Sequence, residues 1–365
     1  MNNCTKDVEN NIHLKATLQW LCRAQDAAGC GGVSGGYVPG KGWKPPYPET
    51  TGYIIPTFLN YSTFSGDDSY KTRAMAMGNW EIEIQLPSGG VRGGIGLKAE
   101  PMIFDTGQVI LGWISLYRET NDRKYLEATT RAANWLVKIQ DSDGKWSKHE
   151  FLGHPHAYNT RVAWALAQAH ELTGDMKYQE AAGNNMQWVL SLAEENGWLK
   201  HMAFSPNEKP FTHTIAYTLR GLLETSRYLQ GDVAARAILA VEKASSKIIE
   251  THRLDRTDGN ATFLPGQLNP NWKSWSRYAC VTGNAQFAIL FLKLHEMLHH
   301  DKFLKSAMNL LDAVGRTQDL GSDDPGIRGA IPGSHPFNGR YQRKTYPNWA
   351  AKFFADALML KARNP

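Results

Sequence analysis

The chain has 365 residues, 42% of them hydrophobic and 21% charged, with a formal net charge of +5 and no runs of Lys or Arg. That is ample apolar material for a large core, and too mild a positive charge to point to nucleic acid as a partner. No run of about 18 apolar residues suggests a membrane span, the N-terminus lacks the apolar core of a signal peptide, and Cys4, Cys22, Cys30 and Cys280 show neither CxxC nor metal-site spacing, so a reduced, cytoplasmic protein is expected.

In chain order, residues 13–25 read as an amphipathic helix ending in Trp20-x-x-x-x-Gln25. A buried helix follows from about Thr51 and an amphipathic one from Asp68. Residues 106–120 are apolar nearly all round, as a helix buried on both sides requires. Asn121 breaks that helix, and Asp122 is a suitable N-cap for an amphipathic helix over 123–140. Its apolar face is Tyr125, Leu126, Ala132, Trp135, Leu136 and Ile139, and the run from Asp141 to Gly144 stops it. Further buried helices start at Asn159, Thr212 and Thr282, with amphipathic partners from Asp175, Val233 and Lys302. Residues 348–361 are a buried helix with no partner after it, and 13–25 is a partner with no buried helix before it. Pairing the two closes a ring.

The same alternation shows as a repeat with a period of roughly 55 residues. A phrase Gly-Asp-x-x-Tyr recurs with its Asp at Asp67, Asp122, Asp175, Asp232 and, more degenerately, Asp301. The expected architecture is one all-α (α/α)6 toroid domain spanning residues 1–365, without strand-like segments. Its long Gly-, Pro- and aromatic-rich loops (31–49, 87–104, 144–158, 197–211, 255–281 and 321–347) all fall at the end where the inner helices begin. Long loops on one face mark the functional face, and the free N–H groups of the inner helices suit an anionic ligand there. At least half of the twelve Trp belong to the repeat core, and the others can offer flat faces to sugar rings.

The run Arg131-Ala132-x-x-Trp135-Leu136-x-x-x-Gln140-x-x-x-Gly144-x-Trp146 resembles the QW repeat of squalene and terpene cyclases. In those helical toroids the repeat is structural. Their acidic signatures, Asp-x-Asp-Asp and Asp-Asp-x-x-Asp, are absent here. The toroid with Gly-Asp-x-x-Tyr turns resembles the six-hairpin carbohydrate enzymes and the C-terminal catalytic domain of glucuronyl C5-epimerases. Residues 211–224 (FTHTIAYTLRGLLE), Thr106-Gly107-Gln108, and Trp275-Ser276-Arg277-Tyr278 followed by Asn284-x-Gln286 carry the second likeness. The His residues of that family just after the Tyr are missing, since 279–283 contains none.

The resemblance implies a carbohydrate-active enzyme acting on an acidic, uronate-containing poly- or oligosaccharide, needing no cofactor and no metal. In C5 epimerisation a base removes the proton α to the carboxylate, a cation neutralises the enolate, and an acid reprotonates the other face. This epimerase-like chemistry is the favoured reading, with Tyr278 and His213 as candidates for base and acid and Arg277 or Arg161 on the carboxylate. The same first step followed by β-elimination would make a lyase. Glycoside hydrolysis instead needs two carboxyl groups, and Glu49 and Asp105 begin adjacent inner helices. Tyr158, Asn159, His156, Trp275, Tyr346, Asn348 and Trp349 are expected substrate contacts, and His154 sits beside His156 across Pro155. Each polar residue at a helix start can equally serve as a cap or loop anchor. His295, His299 and His300 fall at the opposite end as surface residues. A non-catalytic glycan-binding toroid is the third class, and a homodimer is left open.

Overall fold

The computed structural model describes residues 2–256 and 262–363. Among the described residues it is built from helices α1 (Asn2–Ala28), α2 (Pro48–Ser65), α3 (Ser69–Ile84), α4 (Ile103–Thr120), α5 (Arg123–Lys138), α6 (Thr160–Thr173), α7 (Met176–Ser191), α8 (Thr212–Ser226), α9 (Asp232–His252), α10 (Val281–Leu298), α11 (Asp301–Gly315) and α12 (Asn348–Arg363). The even-numbered helices form the inner ring. Each packs on the next, and α12 returns to α2. The odd-numbered helices wrap the outside, and α1 packs on α12, so the two ends of the chain close the toroid as expected. The inner helices are buried almost all round, and small residues let them approach. A Cβ on Gly112 of α4 would lie 2.4 Å from the Gly52 carbonyl of α2.

The repeated phrase becomes a set of joints between outer helices. Asp122 caps α5 by accepting from the Lys124 N–H at 3.1 Å, and Asp175 caps α7 from Lys177 at 3.3 Å. Asp67 accepts from Ser69 N–H at 2.9 Å in the same way at α3. Asp232 and Asp301 lie inside the first turn of α9 and α11 and cap nothing. The Tyr of the phrase ties each helix to the one before: the Tyr125 hydroxyl donates to Asn79 and that of Tyr178 to Asn134.

The Gln closing each Trp-x-x-x-x-Gln run makes the stronger joint. The Gln25 amide donates to the Gly31 and Arg73 carbonyls, that of Gln85 to Gly89 and Ala128, and that of Gln140 to Gly144 and Ala181. One partner lies in the following loop and the other on the next outer helix. Gly144 shows why glycine follows. Its φ is +89°, and a Cβ there would lie 2.3 Å from the Asn184 carbonyl of α7.

The expectation of no strand-like segments is corrected. The mouth loops contain β1 (Gly36–Val38), β2 (Gly42–Trp43), β3 (Ala279–Cys280), β4 (Ser334–His335) and β5 (Tyr346–Pro347). β2, β1 and β5 pair antiparallel in that order, with Tyr37 opposite both Trp43 and Tyr346, and β3 pairs with β4. At two or three residues each they are too short to leave a periodic pattern. Helix starts also shift, α2 to Pro48 and α4 to Ile103, which places Glu49 and Asp105 inside the first turn of their helices. No described helix is long and apolar enough to cross a membrane.

Gln140→Ala strands two carbonyls at a joint and is expected to destabilise the protein by about 1–3 kcal/mol. Gly144→Ala is expected to cost at least as much, through both φ and contact. Urea unfolding midpoints of the two variants against wild type check both.

Candidate active site

The inner-helix N-termini and the loops before them enclose a cavity of about 410 Å3 at the mouth. Glu49 and Asp105, from the first turns of the adjacent helices α2 and α4, both line it. Neither helix has a side-chain cap, and the preceding residues, Tyr47 and Met102, are extended. Tyr47 donates its hydroxyl to Glu49 Oε2, and the Tyr217 hydroxyl lies 3.3 Å from Glu49 Oε1. Asp105 Oδ2 accepts the Gly94 N–H at 2.7 Å.

Burial dominates the electrostatics. It raises Glu49 to about 8, with the Asp105 charge adding to the rise. It raises Asp105 to about 7 against the hydrogen bond from Gly94 and the charge of Lys98. Such groups titrate as a pair, and near neutrality this pair holds a proton that it can give or take. Lys98, exposed on the loop before α4, is the one Lys or Arg among the described lining residues.

His213 lines the cavity from the first turn of α8. Its Nδ1 is 2.8 Å from Gln286 Oε1. With that oxygen as acceptor, Nδ1 carries the hydrogen and Nε2 is left with a free lone pair. Burial drives the ring down to about 3, so it is neutral. Tyr158 and Trp349 also line the wall, and the Trp349 indole N–H donates to the Tyr341 hydroxyl at 2.8 Å. Arg161 is buried beneath this layer rather than in it. Its Nε donates to Gln108 at 2.8 Å, and its guanidinium lies 4.9 Å from the Tyr217 ring centre.

Two of the expected contacts, His156 and Asn159, serve a residue that sequence reasoning missed. Glu150 is buried, with Oε2 3.0 Å from His156 Nδ1 and Oε1 accepting from the Asn159 amide. His156 Nε2 faces the Phe204 carbonyl at 3.3 Å, which fixes its hydrogen on that nitrogen. Burial lowers His156 to about 4 and raises Glu150 to about 8. The pair is therefore neutral, with the carboxylic acid donating to the imidazole. It stands behind Tyr158, on which His156 stacks at 4.4 Å. His154 Nε2 lies 2.7 Å from the same Phe204 carbonyl.

The expectation that all six corners meet in one cavity is corrected at α10. Tyr278, Arg277 and Trp275 do not line it. The Tyr278 hydroxyl donates to Gln267 at 3.2 Å. Its ring is seated on Gly266, where an added Cβ would lie 2.2 Å away, and its Cβ lies 2.8 Å from where one on Gly339 would be. Arg277 is exposed, and Trp275 is 72% exposed with the Lys209 ammonium 4.5 Å from its ring centre. The cause is the loop before α10, whose Tyr278 carbonyl accepts from Gly266 N–H and turns the side chain behind Tyr341. Asn348 is a strut: its amide donates to the Ser34 carbonyl and to Thr50, each at 2.8 Å. Tyr346 packs on Phe337 at 4.8 Å. Besides Glu150, the sequence reading missed Tyr47, Tyr217 and Tyr341. Tyr217 had a signal, for it lies one turn from His213 on the same face, 4.3 Å ring to ring. At the opposite end the His300 ring lies 3.7 Å from Glu242. Among the described residues no group of three or more His, Cys, Asp or Glu could hold a metal ion.

A closed ring of six helix pairs around an acidic, aromatic-walled mouth defines an (α/α)6 toroid. No protein-family model and no curated protein matches the sequence. Solved structures do match along nearly the whole chain. An unsaturated glucuronyl hydrolase specific for heparin aligns with a TM-score of 0.75 at 18% identity, covering 98% of each chain. The unsaturated glucuronyl hydrolase of Bacillus sp. GL1, responsible for the degradation of glycosaminoglycan, aligns at 0.72 and 16%, covering 97% of each. A sugar epimerase from a ruminal bacterium aligns at 0.75 and 13%, covering 99% of each. The cellobiose 2-epimerase of Bacillus thermoamylovorans B4167 aligns at 0.73 and 12%, covering 98% of this chain and 99% of the other. At these identities the likeness is one of fold.

The raised carboxyls have a stability signature. A folded-state value above the unfolded one favours the fold at low pH, and that advantage is lost as pH rises toward about 7 for Asp105 and 8 for Glu49. Glu49→Gln cannot ionise. Its melting temperature, followed from pH 5 to pH 9, is expected to rise relative to wild type across that range.

Proposed function

We propose that the protein is a carbohydrate-active enzyme that hydrolyses a glycosidic bond of a uronate-bearing oligosaccharide, with Glu49 and Asp105 as its acid–base pair. The observation that carries this reading is the pair itself. Two carboxyls from neighbouring inner helices face one cavity, and burial keeps a proton on them near neutral pH. The protonated member delivers its proton to the leaving oxygen as the bond to the anomeric carbon breaks. The ionised member accepts a proton from the water that adds there. Tyr47 and Tyr217 hold Glu49 in place by hydrogen bonds. Lys98 supplies the positive charge for a uronate carboxylate. The fold shared with unsaturated glucuronyl hydrolases supports the substrate class.

Release of reducing ends from uronate-terminated disaccharides tests the assignment. Glu49→Gln and Asp105→Asn are each expected to lower kcat by about 10²- to 10⁴-fold, whereas Tyr278→Phe leaves it within about twofold. The profile of kcat/KM is expected to be bell-shaped, with its maximum between about 7 and about 8. Full hydrolysis in both carboxyl variants would sink the pair.

Epimerisation at C5 is the second reading, favoured by His213. Its free Nε2 lone pair is a preformed proton acceptor on the cavity wall, and sugar epimerases share the fold. Exchange of the C5 hydrogen with solvent deuterium, lost in His213→Gln and without reducing-end release, would select this reading over hydrolysis.

A further inference from the structure

The cavity has two unlike halves. Around α2 and α12 the wall is polar, with Tyr47, Glu49, Tyr341 and Gln342. The loops before α4, α6 and α8 contribute Ile95, Met102, Phe151 and Phe204, beside the Lys98 ammonium and the Tyr158 hydroxyl. Phe151 and Phe204 pack ring to ring at 5.5 Å, and Phe204 continues to Tyr158 at 6.1 Å. The apolar half is not sealed. Ile95 is 38% and Phe151 is 40% exposed, and the neighbouring Leu152 is 64% exposed. Folding has left this apolar surface against water directly beside the two carboxyls.

A second sugar placed there would surrender the hydration of its hydroxyls for only two polar partners on that wall, the Lys98 ammonium and the Tyr158 hydroxyl. An apolar group surrenders nothing and removes apolar surface from water. The reacting bond is confined to the reach of Glu49 and Asp105, so whatever lies on the apolar wall is joined to the reacting sugar. Resting on the hydrolytic reading above, we infer that the leaving group is apolar: the substrate is an aryl or alkyl uronide, with its aglycone against Phe151, Phe204, Ile95 and Met102. Among uronate-bearing substrates the site would then favour those whose uronic acid is carried on a lipophilic group.

Binding separates this inference from the chemistry. The probes are phenyl and methyl 1-thio-D-glucuronides and the matching 1-thio-D-glucosides, taken as both anomers and titrated calorimetrically into wild type, Phe151→Ser and Ile95→Ser. Both side chains are partly exposed, so these changes spare the core. Wild type is expected to bind the phenyl glucuronide about tenfold more tightly than the methyl one. In each variant that preference is expected to fall to about threefold or less, with methyl binding unchanged. Equal affinity for phenyl and methyl glucuronides, or a preference untouched by both variants, would overturn the apolar subsite while leaving the uronate reading standing. A phenyl preference equally strong in the glucosides would keep the subsite and overturn the uronate. Failure of every probe to bind would overturn both.

Discussion

The structure depends on a joint made by a single amide. At the end of α1, α3 and α5 a glutamine bridges a carbonyl of the following loop and a carbonyl of the next outer helix. Gln318, just past α11, makes the same bridge between the Gly329 carbonyl and Thr17 of α1. The joint that spaces neighbouring repeats is therefore also the one that shuts the ring. Each hydrogen bond contributes only about 0.5–1.5 kcal/mol, but a glutamine with neither partner would leave buried carbonyls unsatisfied. Placed at the mouth end, these joints fix where the long loops after α1, α3, α5 and α11 depart.

A fixed mouth permits an unusual electrostatic state. Glu49, Asp105 and Glu150 are all held toward their neutral forms by burial, and His156 and His213 are held neutral by the same cause. The layer around the cavity is thus rich in titratable groups yet nearly uncharged near neutrality. Charged partners lie elsewhere. Arg161 is beneath the floor, and Glu224 is satisfied by Arg220 and Lys293 on the inner helices α8 and α10. Arg161 pulls Glu49 down and Lys98 pulls Asp105 down, but burial outweighs both.

Structures with 12–18% identity share this toroid end to end while carrying out different sugar chemistry. Within this chain joint and cap residues recur because the ring needs them at fixed spacing. The loops at the mouth are released from that requirement, and function resides in sites carried on a fold.

The repeat was legible in the sequence because its residues act locally. Asp122 caps the helix that it precedes, Gln140 reaches a loop four residues on, and apolar periodicity marks which helices lie inside. From these the six pairs, the closure by the chain ends and the common mouth follow. Glu49, Asp105 and His213 were legible as inner-helix starts aimed at that mouth. The tertiary structure alone decided which polar residues meet. Tyr278 and Arg277 turn away because their loop folds back through Gly266. Glu150 is buried behind Tyr158 because His156 and Asn159 are brought to it across a loop. Protonation was also decided there: burial sets the charge of a carboxyl, and burial is a property of the closed ring rather than of any segment.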